Sequence, residues 1–489
     1  MTGTIRQRSI GNQATIKLWI VTVTDGITLN PHMSQSAPRE DRSAGAALPL
    51  ALPPTAPATP ASEPKPAPRR RPLWIVLLSV LGPGVIAAAA GNDAGGIATY
   101  SQAGAQYGLS LMWSIAVVTV GLVVVQEMCA RMGAVTGKGL AALIRENFGV
   151  RVTAFAMLVL LIANFATTVS EFAGIAAVGE MFLGHRARFF VVPASVALVW
   201  LLVSRGSYQR VERILLAASA VFVTYVITAF KIGVPWKQVG LNTFAPHLAA
   251  LPWHDGGLIL MVVSLIGTTI APYMQFYQQS AVRDKGVTMR DYALTRWDTV
   301  VGCVLSNVVA AFIITACAQT LFLNPRTRNI ASASEAALAL VPLAGVFVAK
   351  GLFAFGLLNA SLMAAVIVPL STAYAVTESL GWESGLGQRV RELPLFYGTY
   401  GVLIVASGLL ILASNSNLIK IIIQAQVVNC ALLPIELVLI LILINRRHVM
   451  GKYRNTLWDN LVAWGTTVIA GGLALYYFAQ QIWATAHPG

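Results

Sequence analysis

Long apolar segments recur along this 489-residue chain and constrain its fold more than any other feature. They include 109–125, 153–162, 189–203, 214–230 and 432–444. Several extend with their flanks to the roughly 20 residues that a helix needs to cross a bilayer. Charged residues make up only 11% of the chain, against about 25% in a typical soluble domain. These features predict an all-α integral membrane protein.

The chain divides into a tail and a membrane domain. Residues 1–72 are rich in Pro, Ala, Ser and Arg, and we expect them to be disordered because they cannot bury enough apolar surface to fold. A transmembrane domain is predicted over 73–484. Its eleven predicted spans are 73–105, 109–130, 152–183, 188–204, 210–232, 256–281, 294–323, 343–378, 396–414, 417–444 and 458–484.

Basic residues mark the expected orientation. Lys and Arg cluster in every second loop, at 69–71, 131–145, 205–213, 283–290, 389–391 and 446–454. The positive-inside rule then places the N-terminus in the cytoplasm and the C-terminus outside. Since the tail carries no recognisable organelle address, a multi-pass protein of the plasma membrane is predicted. Glu127, Asp298 and Glu378 lie near the expected cytoplasmic ends, where solvation or pairing with loop arginines is expected.

Several classes of function are disfavoured. The net charge is +14, but the basic residues punctuate loops and do not form one face interleaved with aromatics, so no nucleic-acid partner is expected. We find no P-loop, HExxH or nucleophile elbow, so an enzyme is not predicted, and no cofactor or obligatory protein partner is indicated. The cysteines have no CxxC spacing and predict neither disulfides nor a thiolate metal site: Cys129, Cys303, Cys317 and Cys430.

The first span carries an interruption. It contains Gly82-Pro-Gly and then Asn92-Asp-Ala-Gly-Gly96, which places the carboxylate of Asp93 at mid-depth beside glycines. A charge at the bilayer centre costs at least about 2.5–3.5 kcal/mol and is kept only where it meets a cavity, a cation or a partner. Asp93 is therefore the first candidate for a metal ligand. The alternative is a structural carboxylate bonded to freed backbone amides.

The sixth span has a second interruption at 267–273, where Pro272 removes a backbone donor and frees oxygens near Thr268. Broken helices in corresponding positions of two halves, 73–232 and 256–444, are typical of inverted-repeat transporters with the site at the break. Kinks that bind nothing are the alternative for either break alone.

These residues carry a family resemblance. Gly82-Pro-Gly, Asn92-Asp-Ala-Gly-Gly and Gln102-Ala-Gly-Ala resemble the first helix of the Nramp family. The segments 131–138, 267–273 and 426–428 with 445–455 resemble its second-helix loop, sixth helix and tenth helix with the loop that follows. The resemblance implies a LeuT/APC-type inverted repeat of 5+5 helices plus an eleventh helix, with helices 1 and 6 broken. It also implies transport of a divalent metal ion.

The chain departs from the family pattern at the metal site. Asp93 keeps the family's aspartate, but Gly96 stands where the family has an asparagine ligand and Ala271 where it has a methionine. An oxygen-only site with room for water suits Mg²⁺, which dehydrates reluctantly. With Asp93, the Thr268 carbonyl and Gln426 supplying oxygens, the site resembles the Mg²⁺-transporting branch of the family. Mn²⁺ is expected to pass as well.

The family's proton route is also altered. Glu171 is kept, but Thr168 stands at the aspartate of the third helix and Tyr273 at the histidine of the sixth. Since threonine and tyrosine do not titrate near neutral pH, transport uncoupled from protons is predicted. Glu171 could still carry a proton, or could be structural.

Further alternatives stay open. Asn307 and Asn359 could line the pathway or bridge helices. A proton-coupled Mn²⁺ or Fe²⁺ symporter is the first rival function. An organic-solute carrier of the same fold is the second, and it is disfavoured because Asp93 would repel a substrate carboxylate.

Overall fold

The computed structural model describes residues 92–205, 214–382 and 390–487. The predicted tail over 1–72 and the first half of the predicted first span lie outside these residues. No strand occurs in the described ranges. The main helices, numbered in chain order, are α1 Ala94–Tyr107, α2 Met112–Thr136, α3 Leu140–Leu183, α4 Arg188–Ser204, α5 Ile214–Lys231, α6 Gly256–Thr269, α7 Pro272–Asp284, α8 Tyr292–Thr320, α9 Val341–Leu380, α10 Pro394–Ala413, α11 Leu418–Asn445 and α12 Leu457–Ala486.

The helices reproduce the predicted order of membrane spans. Ten helical segments of the described residues are long and apolar enough to cross a membrane, with α6 and α7 counted together. The shorter helix α1 is the described part of the predicted first span. The third span differs at its start, because the helical segment begins at Leu140 rather than at 152. Gly149, at φ 77°, interrupts it, so the uninterrupted part begins close to the predicted residue.

The bundle is organised around three long helices, α3, α9 and α11. α3 packs along α9 and α11, α1 packs on α8 and α11, and α6 lies against α11. The α6–α7 pair is the most deeply buried of the spans, whereas α5 and α12 bury only a small share of their residues. Exposed apolar side chains are what lipid-facing helices require. The α6–α7 break therefore lies in the interior of the bundle, and Asp93 and Gly96, the described part of the first predicted break, are buried as well.

Ionic pairs lie near the ends of several helices. Arg131 of α2 lies 3.1 Å from the Glu127 carboxylate and 3.7 Å from Asp459 at the start of α12. Arg283 of α7 pairs with Glu378 of α9. These contacts confirm the expected arginine pairing of Glu127 and Glu378.

Candidate transport site

Asp93 caps the start of α1. Its backbone is extended, with φ −75° and ψ −173°, and its Oδ1 accepts a hydrogen bond from the Gly96 N–H at 2.8 Å. A carboxylate at this position satisfies backbone donors that have no partner inside the helix and faces the positive end of the helix dipole. Asp93 is 1% exposed. The helix therefore begins one residue after the predicted ligand, and Gly96 contributes a backbone donor to that ligand.

Glu171 of α3 is a second cap for the same helix. Its Oε2 accepts from the Ala94 N–H at 3.1 Å, and its side chain is fully buried. The other oxygen, Oε1, has no hydrogen-bond partner among the described residues. Of the two roles left open by the sequence, the structural hydrogen bond is present, and it fixes the start of α1 against α3.

The second break leaves acceptor oxygens without helical donors. α6 ends at Thr269 and α7 begins at Pro272. The carbonyl of Thr268 would normally accept from the N–H four residues later, but that residue is Pro272, which has none. The buried Thr268 hydroxyl also lacks a partner in the described part of the chain. Ala271 precedes α7 in an extended conformation, with φ −73° and ψ 139°.

Gln426 of α11 lies against both breaks. A Cβ placed on Gly95 of α1 would collide with the Gln426 side-chain amide and would lie 3.0 Å from Asp93 Oδ1. A Cβ placed on Gly267 of α6 would collide with the Gln426 backbone carbonyl. Because neither glycine has a side chain, α11 can approach both helices, and at Gly267 the atoms it meets are backbone. The structure thus brings Asp93, Gln426 and the α6–α7 break together.

The Gln426 amide is held by neighbouring side chains. Its Oε1 accepts from Asn429 Nδ2 at 3.0 Å, and its Nε2 lies 3.5 Å from Ser170 Oγ. Asn429 also donates to Thr167 of α3 at 2.9 Å. In this arrangement the oxygen predicted to bind metal is engaged by Asn429. Asn429 was not among the predicted site residues, although a polar residue three positions after Gln426 falls on the same helix face.

The remaining candidates have local partners. Asn307 of α8 donates to Thr119 of α2 at 2.8 Å, and Asn359 of α9 donates to Ser219 of α5 at 3.0 Å. Thr168 bonds the Asn164 carbonyl of its own helix at 2.6 Å. The backbone carbonyl of Tyr273 accepts from Ser371 at 3.2 Å. Both asparagines therefore bridge helices, and a pathway role for Asn307 stays a prediction.

Curated relatives and solved structures resemble this chain over most of its length. A divalent metal cation transporter MntH of Klebsiella pneumoniae is 24% identical over 401 residues, which cover 81% of this chain and 93% of the relative. The MntH of Verminephrobacter eiseniae is 26% identical, with 79% and 86% covered. A crystal structure of the Eremococcus coleocola manganese transporter superposes with a TM-score of 0.70 at 21% identity, covering 86% of this chain and 90% of that one.

More distant structures share the architecture. MhsT in complex with L-phenylalanine gives a TM-score of 0.53 at 15% identity, with 81% of this chain and 98% of MhsT covered. Mhp1, a nucleobase-cation-symport-1 family transporter, gives 0.52 at 15% identity, with 83% and 93% covered. These likenesses confirm the predicted LeuT-type fold. The model of the natural resistance-associated macrophage protein-like family matches residues 84–480, and the chain belongs to this Nramp family.

Proposed function

We propose that this protein moves a divalent metal ion across a membrane, at a site formed by the start of α1, the α6–α7 break and α11. The names of its MntH relatives support this function. The observation that carries the proposal is the buried Asp93 carboxylate beside Gln426, at the point where α11 meets both broken helices. An intramembrane carboxylate in such a place needs a cation or a proton to offset its charge.

The preferred ion is Mg²⁺, with Mn²⁺ also accepted. The donors at the site are oxygens: the Asp93 carboxylate, the Thr268 carbonyl and hydroxyl, and the Gln426 amide. Gly96 has no side chain, and Ala271 has no side-chain donor. A site with oxygen donors and without a sulfur ligand at these positions suits a hard ion such as Mg²⁺. The manganese transporter structure favours Mn²⁺ as the alternative.

Gln426 would have to reorient to act as a ligand. Rotating its amide by half a turn exchanges Oε1 and Nε2, so that the oxygen turns toward Asp93. The nitrogen then faces the Nδ2 of Asn429, so the Asn429 amide must turn as well for its Oδ1 to accept from Gln426. Thr167 Oγ1 lies 2.9 Å from Asn429 Nδ2 and 3.1 Å from its Oδ1, and a hydroxyl can donate or accept. The Thr167–Asn429 pair can therefore support either orientation of Gln426.

Transport is proposed to proceed without proton coupling. Thr168 and Tyr273 occupy two positions of the family's proton route and do not exchange protons near neutral pH. Glu171, the remaining acid, is engaged by the Ala94 N–H. The first alternative remains a proton-coupled Mn²⁺ or Fe²⁺ symporter, in which Glu171 would carry the proton.

The membrane domain that holds the site, its orientation and its partners are proposed as well. We infer a membrane domain over 73–484, made of repeats 73–232 and 256–444, in the plasma membrane with a cytoplasmic N-terminus and an extracellular C-terminus. Its partners would be the metal ion and the lipid bilayer, with no nucleic acid and no obligatory protein partner.

The proposal is tested by uptake of Mg²⁺ and Mn²⁺ into proteoliposomes with a lumenal pH dye. Asp93→Asn is the informative variant, because asparagine caps a helix about as well as aspartate but lacks the charge. We expect Mg²⁺ uptake without acidification, abolished in the variant at unchanged thermal stability. Acidification that tracks Mn²⁺ entry, with no Mg²⁺ flux, would return the protein to the proton-coupled class.

Ion preference can be tested by adding a sulfur ligand. Ala271→Met places a thioether beside the α6–α7 break, and Ala271→Leu adds similar volume without sulfur. If the space around Ala271 holds hydrated metal, the methionine variant should gain Cd²⁺ or Mn²⁺ uptake relative to Mg²⁺, because thioethers select softer ions. Equal selectivity in the two variants would place Ala271 away from the ion.

A further inference from the structure

A second buried acid lies on α11, away from the proposed metal site. Glu436 follows Gln426 by ten residues in this helix, which is about 15 Å at 1.5 Å per residue. It is 2% exposed. Neither of its carboxyl oxygens has a hydrogen-bond partner among the described residues. Glu436 was not among the predicted site residues, although it interrupts the apolar segment 432–444.

No charged side chain of the described residues hydrogen-bonds to Glu436. At the Asn445 end of α11, Arg446 and His448 contact Asn147, and Arg447 and Arg151 are exposed. Cys129 of α2 lies close enough to interact with it electrostatically. The sequence has no charged residue in 72–91, 152–170, 256–269 or 460–486. The charged groups of α2 and α7 are engaged elsewhere, in the Glu127–Arg131–Asp459 cluster, the Arg283–Asp284 contact and the Arg283–Glu378 pair.

A carboxylate in this position can be kept neutral by a proton. Burying an ion without a partner is so costly that the group binds a proton instead. Even a neutral carboxyl group without hydrogen bonds is unfavourable, and ionisable residues at membrane depth are usually functional. Pro434, two residues earlier, removes one helical hydrogen bond, so α11 can bend next to Glu436.

We propose that Glu436 is a proton-binding site in the half of the bundle toward Asn445, distinct from the metal site. Its carboxyl group binds a proton in the conformation described here and releases it to water when that half opens. The proton returns to the side from which it came, so none crosses the membrane with the metal. Acid on that side would therefore favour the closed conformation and slow metal flux.

The first test is independent of transport. Infrared spectra of the purified protein should show the C=O band of a protonated carboxyl group at neutral pH. The band should lose intensity in Glu436→Gln, where the buried Asp93 and Glu171 carboxyl groups remain, and should be unchanged in Glu146→Gln, which alters an exposed, lysine-paired glutamate. Absence of such a band in the wild type, or unchanged intensity in Glu436→Gln, would overturn the proposal.

The second test rests on the proposed metal transport. Uptake is measured while the pH is varied on the side that α11 reaches at Asn445. Wild-type flux should fall with acid by at most about tenfold per pH unit, as expected for one titrating group. Glu436→Gln should give a low flux independent of pH, whereas Glu436→Asp should retain the dependence. A wild-type pH profile in Glu436→Gln refutes the proposal, as does loss of Mg²⁺ binding by calorimetry in that variant, which would indicate a metal site.

Discussion

Gly267→Ala tests whether α6 and α11 meet as closely as the site requires. The added Cβ would overlap the Gln426 backbone carbonyl oxygen and would lie 2.8 Å from the Cys430 nitrogen. Both atoms are backbone, so the helices must separate. Overpacking of this kind costs about 1–3 kcal/mol, while alanine in a helix recovers about 0.5–1 kcal/mol relative to glycine. The net expectation is a loss of about 1–2 kcal/mol.

Two matched substitutions make the result specific. Gly465 of α12 has open space at its Cβ position, so Gly465→Ala should be neutral or slightly stabilising. At Gly95, the colliding atoms belong to the Gln426 side-chain amide, which can swing aside. Gly95→Ala should therefore leave stability nearly unchanged but weaken metal binding by about tenfold, the size typical of losing a supporting contact at a metal site.

The assays are thermal unfolding in detergent and metal binding by calorimetry. Gly267→Ala should lower Tm by a few degrees, at roughly 2–4 °C per kcal/mol for domains of 150–250 residues and less for larger ones. It should also weaken metal binding, because the Thr268 carbonyl moves with α6. If Gly267→Ala and Gly465→Ala have the same Tm and affinity, the close approach of α6 to α11 is wrong.

Three further predictions concern other contacts. Glu171→Gln retains an acceptor for the Ala94 N–H and should keep its Tm, whereas Glu171→Ala removes a helix cap and should lower the free energy of unfolding by about 0.5–2 kcal/mol. Loss of metal uptake in Glu171→Gln at normal Tm would support a proton-carrying role instead. Arg188 is 3% exposed and forms an ion pair with Glu180 at 2.5 Å, whereas the ion pair of Lys138 is about half exposed and should contribute under about 1 kcal/mol. Arg188→Ala should therefore lower the Tm by more than Lys138→Ala, and equal Tm values would contradict this. A maleimide should label the folded protein slowly, and dithiothreitol should not change its Tm, because all the cysteines are buried free thiols: Cys129, Cys303, Cys317 and Cys430.

The fold was predictable because the bilayer leaves few choices. Each span must be an apolar helix, so run length and loop charge give the number and order of helices. Helix starts were less predictable, as at Leu140, because a short helix outside the apolar run has no strong periodic signal. Gly149 marks the boundary, because its positive φ separates that short helix from the span, and glycine adopts this conformation readily.

The site was predictable where chemistry conflicts with lipid. Asp93 and Pro272 each violate the rules for a membrane helix, and both lie at observed helix starts. Asn429 could not be assigned by that reasoning, because its contacts depend on how α3 and α11 pack. Nor could sequence alone show that the Gln426 oxygen is engaged by Asn429, since the orientation of an amide follows from its partners.

α11 connects the two proposed sites, but Pro434 lies between them. Gln426 and Asn429 come before the proline and are held against α1, α3 and α6. Glu436 comes after it, where the missing N–H leaves the Cys430 carbonyl without its helical donor. The second half of α11 can therefore bend while the first half keeps the metal site intact. Protonation of Glu436 should for this reason change the rate of metal release and leave the affinity for Mg²⁺ unchanged, so that Glu436→Gln and wild type share one Kd while their fluxes differ.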